Sequence, residues 1–252
     1  MIFHLPHSST AIPIDLRSTL LLDDQELEAE LRVMTDAFTD DLFGSHAGAD
    51  DSVVVFPVSR LVVDPERFLD DTVETMASIG MGVVYERTSS GNPFRDNLSL
   101  KERDALIRRF YEPHHQRLAA ATGNELVRSG SALILDCHSF PLLPLPYERD
   151  QDPDRPDICI GTDDFHSPPF LVEAARRAIA DEGLTYRINR PFIGTLVPSQ
   201  YWEQDQRVSS IMIEVNRSLY MDEDSGERSD QYEQCRVSVG RIVGKIRRRV
   251  VS

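Results

Sequence analysis

The sequence predicts an α/β fold of three layers, in which helices cover both faces of a mostly parallel, mixed sheet. Short apolar runs alternate along the chain with segments of helical periodicity, and strands separated by helices usually form a parallel sheet. Residues 132–135 are apolar at every position, which is typical of a strand that is buried on both faces.

Two capping boxes mark the beginnings of the long helices in the first half of the chain. In each, an aspartate or serine is followed three residues later by a glutamate. Apolar spacing extends the first helix to residue 43, and Pro113 should kink or split the second. The elements predicted in this half are a strand at 2–5, a helix at 23–43, strands at 53–56 and 82–85, and a helix at 99–121.

The second half of the chain continues the same alternation. Residues 144–156 are rich in proline and acidic residues, which predicts a surface loop that could act as a lid. The elements predicted here are strands at 132–135 and 158–160, a helix from Pro168 that is closed by Gly183, a strand at 211–215 and a final helix at about 230–250.

The composition is that of an ordinary globular protein. The chain has 252 residues, 40% hydrophobic and 27% charged, and no linker-like tract divides it, so we expect one domain spanning residues 1–252. The formal net charge of −15 argues against nucleic acid and anionic membranes as partners. It is compatible with a small anionic substrate, because a few arginines can create a local positive pocket.

Cysteine usage predicts a reducing compartment. Cys137, Cys159 and Cys235 form no C-x-x-C pair, and an odd number does not suit a disulfide scaffold. The sequence contains no signal-peptide pattern and no apolar run of the roughly 18 residues that span a membrane. We therefore expect a cytoplasmic protein.

Polar side chains follow three of the predicted strands. His7 follows the first strand, His138 follows the apolar run at 132–135, and Glu214 follows the apolar residues 211–213. In open α/β sheets, ligands bind outside the carboxyl ends of the strands. Two histidines and a glutamate at this edge predict a mononuclear metal hydrolase site, with the histidines as ligands and Glu214 as the general base.

The third ligand should be an acid on a neighbouring element. Asp36 lies two residues from Met34 and two from Phe38, both on the apolar stripe of the first long helix. A carboxylate so close to buried surface needs a partner. Asp40, one turn later, is the rival candidate, and spacing alone does not decide between the two acids.

Adjacent residues of one element cannot all face the same site. His114 and His115 point about 100° apart on a helix, so at most one faces the site, and we expect His114 to contact substrate. A cysteine hydrolase using Cys137 with His138 is disfavoured, because neighbours on a strand point to opposite faces. Asp136 either orients a metal-ligating imidazole or caps a turn.

Six short segments, in the order in which they occur, are 6–9 (PHSS), 35–40 (TDAFTD), 59–67 (SRLVVDPER), 111–115 (YEPHH), 136–139 (DCHS) and 213–221 (IEVNRSLYM). Together they resemble the motifs of the N-formylglutamate amidohydrolase family, which looks like a relative of zinc carboxypeptidases and amidases. The resemblance covers most of the chain and implies a phosphorylase/hydrolase-like α/β fold.

The resemblance also implies the chemistry. Residue by residue, it implies a zinc ion held by His7, Asp36 and His138, with Glu214 as the base, and so favours Asp36 over Asp40. The implied reaction is hydrolysis of a linear amide in an N-formyl or N-acyl amino acid similar to N-formylglutamate. A zinc peptidase or amidase of other specificity and a non-enzymatic ligand-binding protein are the alternatives.

Substrate-binding residues are expected in the same segments. Arg60 and Arg67 could hold a substrate carboxylate through paired hydrogen bonds, or form salt bridges with the acids between them. Asn216 and Arg217 could orient the substrate or stabilise an oxyanion.

Two segments depart from the family pattern. Many members have an asparagine where Glu66 precedes the arginine, and a second glycine and an arginine where Thr195 and residues 198–199 stand. These segments should line the substrate pocket, so the reaction class transfers more directly than the substrate.

Overall fold

The computed structural model describes residues 1–96 and 98–250, which are organised around a six-stranded sheet. The strands are β1 (Ile2–Leu5), β2 (Ser52–Val55), β3 (Ala132–Phe140), β4 (Ile158–Gly161), β5 (Tyr186–Ile188) and β6 (Val208–Asn216). Their order across the sheet is β2-β1-β3-β6-β4-β5, and the pair β4–β6 is antiparallel while the other pairs are parallel. The predicted mostly parallel, mixed sheet is confirmed.

Helices cover both faces of the sheet, so the three-layer prediction is confirmed as well. The helices are α1 (Ile14–Arg17), α2 (Asp24–Met34), α3 (Thr39–Gly44), α4 (Leu100–Leu106), α5 (Glu112–Ser129), α6 (Pro169–Ala180) and α7 (Tyr232–Val250). Helix α5 packs on one face, against β1, β2 and β3. Helices α3 and α6 pack on the other face, with α7 against both of them. No helix in the described ranges is long and apolar enough to cross a membrane.

Alternate residues of β3 serve the two faces of the sheet. Leu135 and Cys137 belong to the large core that includes α6 and α7, whereas Ile134 packs on the α5 side. By this alternation, Asp136 and His138 also lie on the α5 side. Cys137 is therefore separated from His138 by the sheet itself, which excludes the pair as nucleophile and base.

The first long helix is two helices, and the prediction of a single one was wrong. Helix α2 ends at Met34 and α3 begins at Thr39, with Phe38 at a φ of 64° between them. The backbone N–H of Asp36 donates to the carbonyl oxygen of His7 at 3.0 Å instead of continuing the helical ladder. A tertiary hydrogen bond replaces a local one, so neither glycine nor proline marks the break.

The second long helix is split next to Pro113, as expected. A π-helical turn, Ile107–Tyr111, joins α4 to α5. Proline lacks an N–H, and its ring crowds the carbonyl group four residues earlier, so the helical ladder opens at this position.

One predicted strand does not form, and one observed strand was not predicted. Residues 82–85 form a buried loop, in which the carbonyl oxygen of Val83 accepts a hydrogen bond from the N–H of Asp64 at 2.8 Å. Their apolar side chains are buried by packing against other loops and helices, not by joining the sheet. Strand β5 was not predicted, because its three residues lie half-exposed at the sheet edge and lack an apolar run.

Candidate active site

The candidate site lies on the α5 side of the sheet, where β1, β3 and β6 run next to one another. In the strand register His4 is paired with Asp136, and His138 is paired with Glu214. Strands β3 and β6 are longer than predicted, so His138 lies within β3 and not beyond its end, and Glu214 lies within β6, as the predicted strand at 211–215 implied. Strand pairing therefore sets the spacing between these side chains.

Three side chains converge here, and we call them the ligand cluster: His7, Asp36 and His138. One potential ligand atom of each lies within 4.8 Å of the others. Asp36 Oδ2 is 3.1 Å from Nδ1 of His138 and 3.6 Å from Nδ1 of His7. All three residues are at most 4% exposed. Two imidazoles and a carboxylate are a common ligand set of catalytic zinc sites.

Asp36 reaches the ligand cluster because the chain leaves the helix between α2 and α3. Arg217 holds its carboxylate, donating from Nη2 to Asp36 Oδ1 at 3.1 Å. Burial alone would raise the pKa of Asp36, but the neighbouring imidazoles of His138 and His7 outweigh burial and hold the pKa well below its ordinary value. The rival acid, Asp40, is exposed on α3 and does not join the cluster.

Three further carboxylates orient the two imidazoles. Asp64 Oδ1 lies 2.9 Å from Nε2 of His7, whereas Asp136 Oδ1 and Glu66 Oε2 each lie 3.1 Å from Nε2 of His138. A hydrogen on Nε2 of each ring leaves a lone pair on Nδ1, directed at the ligand cluster. Sequence reasoning left the role of Asp136 open and missed these roles for Asp64 and Glu66, because only tertiary contacts bring them to the rings.

Opposing effects set the ionisation of these groups. Burial lowers the pKa of His138, but Glu66 and Asp136 raise it well above its ordinary value. Burial raises the pKa of Asp64, but the nearby charges of Arg60 and His7 hold this pKa well below its ordinary value. In the protein without metal, His138 is therefore protonated at neutral pH.

A second group of potential ligands, His4, Glu66 and Asp136, lies behind the first, with both His4 and Asp136 buried and Glu66 partly buried. Nδ1 of His4 is 2.8 Å from Asp136 Oδ1, and its Nε2 is 2.8 Å from Nε2 of His114. Burial, with His4 adding to the effect, lowers the pKa of His114, which is fully buried. The expectation that His114 contacts substrate was therefore wrong, and its neighbour His115 lines the cavity instead.

Glu214 extends from β6 beside the ligand cluster. Burial raises the pKa of its carboxyl group to about 8, with His138 opposing the rise and Asp36 adding to it. A carboxyl group that titrates near neutral pH can both accept and release a proton during a reaction. This is the property that a general base needs.

A cavity of about 930 Å³ opens over the ligand cluster and Glu214. The loop at 144–156, predicted as a surface loop, contributes Leu145, Tyr147 and Glu148 to the cavity lining. Ion pairs from Arg187 and Arg190 to acids of this loop tether it to β5 and the residues that follow β5. Its motion as a lid remains a prediction.

Three arginines among the described residues line the cavity, and they are not equivalent. Arg60 donates twice to Asp64 Oδ2, at 2.8 and 3.1 Å. Arg217 uses its three nitrogens on a serine hydroxyl, a main-chain carbonyl and Asp36. Arg67 lies 3.9 Å from Asp64 Oδ2, and its buried Nε has no hydrogen-bond partner among the described residues. Arg67 is therefore the least engaged of the three arginines, with one long ion pair and no hydrogen bond from its Nε to a described residue.

Asn216 does not line the cavity, contrary to its expected role in substrate binding. Its Oδ1 accepts hydrogen bonds from the N–H and hydroxyl of Ser218, at 3.1 and 2.8 Å, and its Nδ2 donates to the carbonyl oxygen of Pro156. Asn216 thus caps the short 3₁₀ helix Arg217–Leu219. Arg217, which starts this helix, is occupied in holding Asp36.

Five large apolar side chains line the cavity and are nevertheless exposed to solvent. We call them the apolar rim: Phe68, Leu69, Val73, Ile193 and Trp202, which are 39–77% exposed. All five lie in loops. Clustered exposed apolar groups beside a cavity are typical of a surface that binds another molecule.

Comparisons with known proteins identify one family for this chain. The family model described as N-formylglutamate amidohydrolase matches residues 1–221. The chain is 26% identical over 208 residues to an N-formylglutamate deformylase of Pseudomonas aeruginosa, covering 80% of this chain and 76% of the relative. It is 25% identical over 228 residues to an N-formylglutamate deformylase of Pseudomonas putida, covering 88% and 82%.

Solved structures share the fold. A crystal structure of N-formylglutamate amidohydrolase from Ralstonia eutropha superimposes with a TM-score of 0.81 at 23% identity, covering 99% of this chain and 92% of that one. A gene product of Agrobacterium tumefaciens superimposes with a TM-score of 0.61 at 18% identity, covering 98% and 91%.

Proposed function

The chain belongs to the N-formylglutamate amidohydrolase family, and from this membership we propose that it hydrolyses the linear amide of an N-formyl or N-acyl amino acid with the help of one divalent metal ion. The observation that carries the proposal is the ligand cluster beside buried Glu214, beneath a cavity that can hold a substrate.

The donor atoms of the ligand cluster fit a divalent cation. Nδ1 of His7 is buried and has no hydrogen-bond partner in the described part of the chain, while Asp64 engages the other nitrogen of the ring. Nδ1 of His138 faces an oxygen of Asp36 at 3.1 Å, and two acceptors at this distance repel unless a proton or a cation lies between them. Zinc is the metal we propose, because catalytic zinc commonly takes imidazole and carboxylate ligands.

Charge balance supports the same assignment. The carboxyl groups around the ligand cluster outnumber the guanidinium groups by two, which is the charge of one divalent cation. With no metal present, a protonated His138 and a protonated Glu214 balance the site instead. The groups are Asp36, Asp64, Glu66, Asp136 and Glu214 against Arg60, Arg67 and Arg217.

A zinc ion held by the ligand cluster would polarise the substrate carbonyl and lower the pKa of water towards about 7. Glu214 accepts the proton of the attacking water and then passes it to the leaving nitrogen, as the amide C–N bond breaks to give a carboxylic acid and an amine. Arg67 binds a carboxylate of the substrate. His115, whose pKa is lowered by burial, offers a neutral imidazole to the substrate.

Metal content and turnover together test the proposal. Protein purified without chelator should contain about one equivalent of zinc and release amine from an N-formyl amino acid, with N-formyl-L-glutamate as the first substrate because the relatives are named for it. Full activity in metal-free protein would contradict the metal requirement. Metal-loaded protein that hydrolyses no linear amide would favour the non-enzymatic alternative.

A further inference from the structure

We infer that the cavity selects N-acyl amino acids that carry a single carboxylate and an apolar side chain. The inference rests on the proposed function and names the substrate class of the same site. Two observations lead to it: the ion pairs and hydrogen bonds that the cationic side chains of the cavity already make, and the apolar rim.

Outside the ligand cluster, one cation of the described lining is held only by a long ion pair. Arg60 and Arg217 are each paired with a buried aspartate, at 2.8 and 3.1 Å. His115 is neutral, and its Nε2 lies 2.8 Å from a main-chain carbonyl oxygen. Arg67 remains: it lies 3.9 Å from Asp64 Oδ2, and its buried Nε donates no hydrogen bond to any described residue. The cavity can therefore neutralise one substrate carboxylate.

A second carboxylate would meet unfavourable surroundings. Glu66, Asp70, Glu112 and Glu148 also line the cavity, so its further charged groups are acids. The segment 192–199, which provides much of the remaining lining, contains no charged side chain. Removing a carboxylate from water without a positive partner is costly. The side chain of a glutamyl substrate is therefore disfavoured.

The apolar rim offers a complementary surface for an apolar side chain. Phe68 and Leu69 directly follow Arg67 in the chain, so apolar surface lies beside the guanidinium that binds the carboxylate. In an α-amino acid, the carboxylate and the side chain are attached to the same carbon atom. Because the acyl carbonyl must lie at the ligand cluster to react, a substrate held by Arg67 directs its side chain, and not its acyl group, towards the rim.

The size of the cavity agrees with a substrate larger than N-formylglutamate. Its volume of about 930 Å³ is near the upper end of the roughly 300–1,000 Å³ range of pockets for drug-sized ligands. N-formylglutamate, with about a dozen non-hydrogen atoms, would leave much of this space and most of the rim in contact with water.

The test compares kcat/KM of the zinc-loaded full chain on N-formyl-L-leucine, N-formyl-L-glutamine and N-formyl-L-glutamate. We expect kcat/KM for N-formyl-L-leucine to exceed that for N-formyl-L-glutamate by at least about tenfold, which is the scale of one apolar group gained in a pocket. N-formyl-L-glutamine has an uncharged side chain of similar shape, so its kcat/KM should be at least as high as that of N-formyl-L-glutamate. A preference for glutamate over both would overturn the inference and leave the proposed function intact, whereas no turnover of any substrate would overturn both.

Two variants test the rim directly. Phe68→Ser should reduce the preference for leucine at least about tenfold, and Val73→Lys, which adds a cation, should shift the preference towards glutamate. Phe170→Ser is the matched control, because Phe170 is 55% exposed but lies on α6 outside the cavity. If Phe68→Ser and Phe170→Ser leave the preference equally unchanged, the rim does not select the substrate and the inference falls.

Discussion

The ligand cluster and the apolar rim belong to one cavity but are built in opposite ways. Residues of the ligand cluster are at most 4% exposed, and polar contacts with distant parts of the chain orient each of them. Residues of the rim are at least 39% exposed and lie in loops. The contrast indicates that the reaction chemistry tolerates little change, whereas substrate choice can change without disturbing the fold.

The largest effect is expected from Asp36→Asn, which removes the only carboxylate of the ligand cluster. Metal affinity should fall by more than about 100-fold, the upper range for loss of a group that merely orients a ligand, and activity should fall with it. Elemental analysis and titration with zinc measure the effect. Asp40→Asn is the matched control, and equal metal loss in both variants would contradict the assignment of Asp36.

Glu214→Gln should leave the metal in place and lower kcat by about two to four orders of magnitude, the usual contribution of a general base. The neutral amide has nearly the same shape as the carboxyl group but cannot accept a proton from water. Steady-state kinetics on metal-quantified protein provide the measurement. Loss of zinc in this variant would mean that Glu214 is a ligand and that the base lies elsewhere.

Arg67→Ala should distinguish Arg67, whose ion pair with Asp64 is long, from Arg60, which is closely paired with Asp64. It should weaken catalysis on an acid substrate by about 2–5 kcal/mol, because the substrate carboxylate loses its charged partner, and weaken catalysis on the methyl ester far less. Arg60→Ala should affect acid and ester alike, because Arg60 is paired with Asp64. If Arg67→Ala also affects both equally, Arg67 does not bind the carboxylate.

Zinc binding should release about two protons per chain at pH 7, since the pKa of His138 and that of Glu214 are both raised in the metal-free protein. Both groups bind protons that the metal must displace, so zinc affinity should increase as pH rises towards about 8. Calorimetry in buffers of different ionisation enthalpy measures the release. Glu214→Gln should release about one proton fewer, and an unchanged release would contradict the raised pKa of Glu214.

The smallest effect is expected on the stability of the protein when a residue of the rim is replaced. Phe68→Ser should change the free energy of unfolding by no more than about 0.5 kcal/mol, because the side chain is 65% exposed. Phe56→Ser, at a fully buried phenylalanine, should cost at least about 3 kcal/mol. Denaturant unfolding of both variants checks the contrast. A large loss in Phe68→Ser would show that the rim supports the fold and is not free to vary.

Local patterns predicted much of the fold and part of the candidate site. Continuous apolar runs identified β1, β3 and β6, and the two capping boxes identified the starts of α2 and α4. His7, His138 and Glu214 were found in the same way, because each follows an apolar run along the chain. Such signals depend on neighbouring residues only, so they can be read from the sequence.

The sequence by itself thus determined the layers of the fold and the side chains capable of the chemistry. Spacing alone left Asp36 and Asp40 open and the family resemblance favoured Asp36, whereas the tertiary structure brings Asp36 into the ligand cluster and leaves Asp40 exposed. Only the tertiary structure showed that His115 and not His114 lines the cavity, and which arginine has the longest ion pair. The first choice depends on the hydrogen bond from the N–H of Asp36 to His7, which breaks a helix that apolar spacing would have continued. The others depend on burial and on charge pairs between segments far apart along the chain, and no local pattern encodes contacts of that kind.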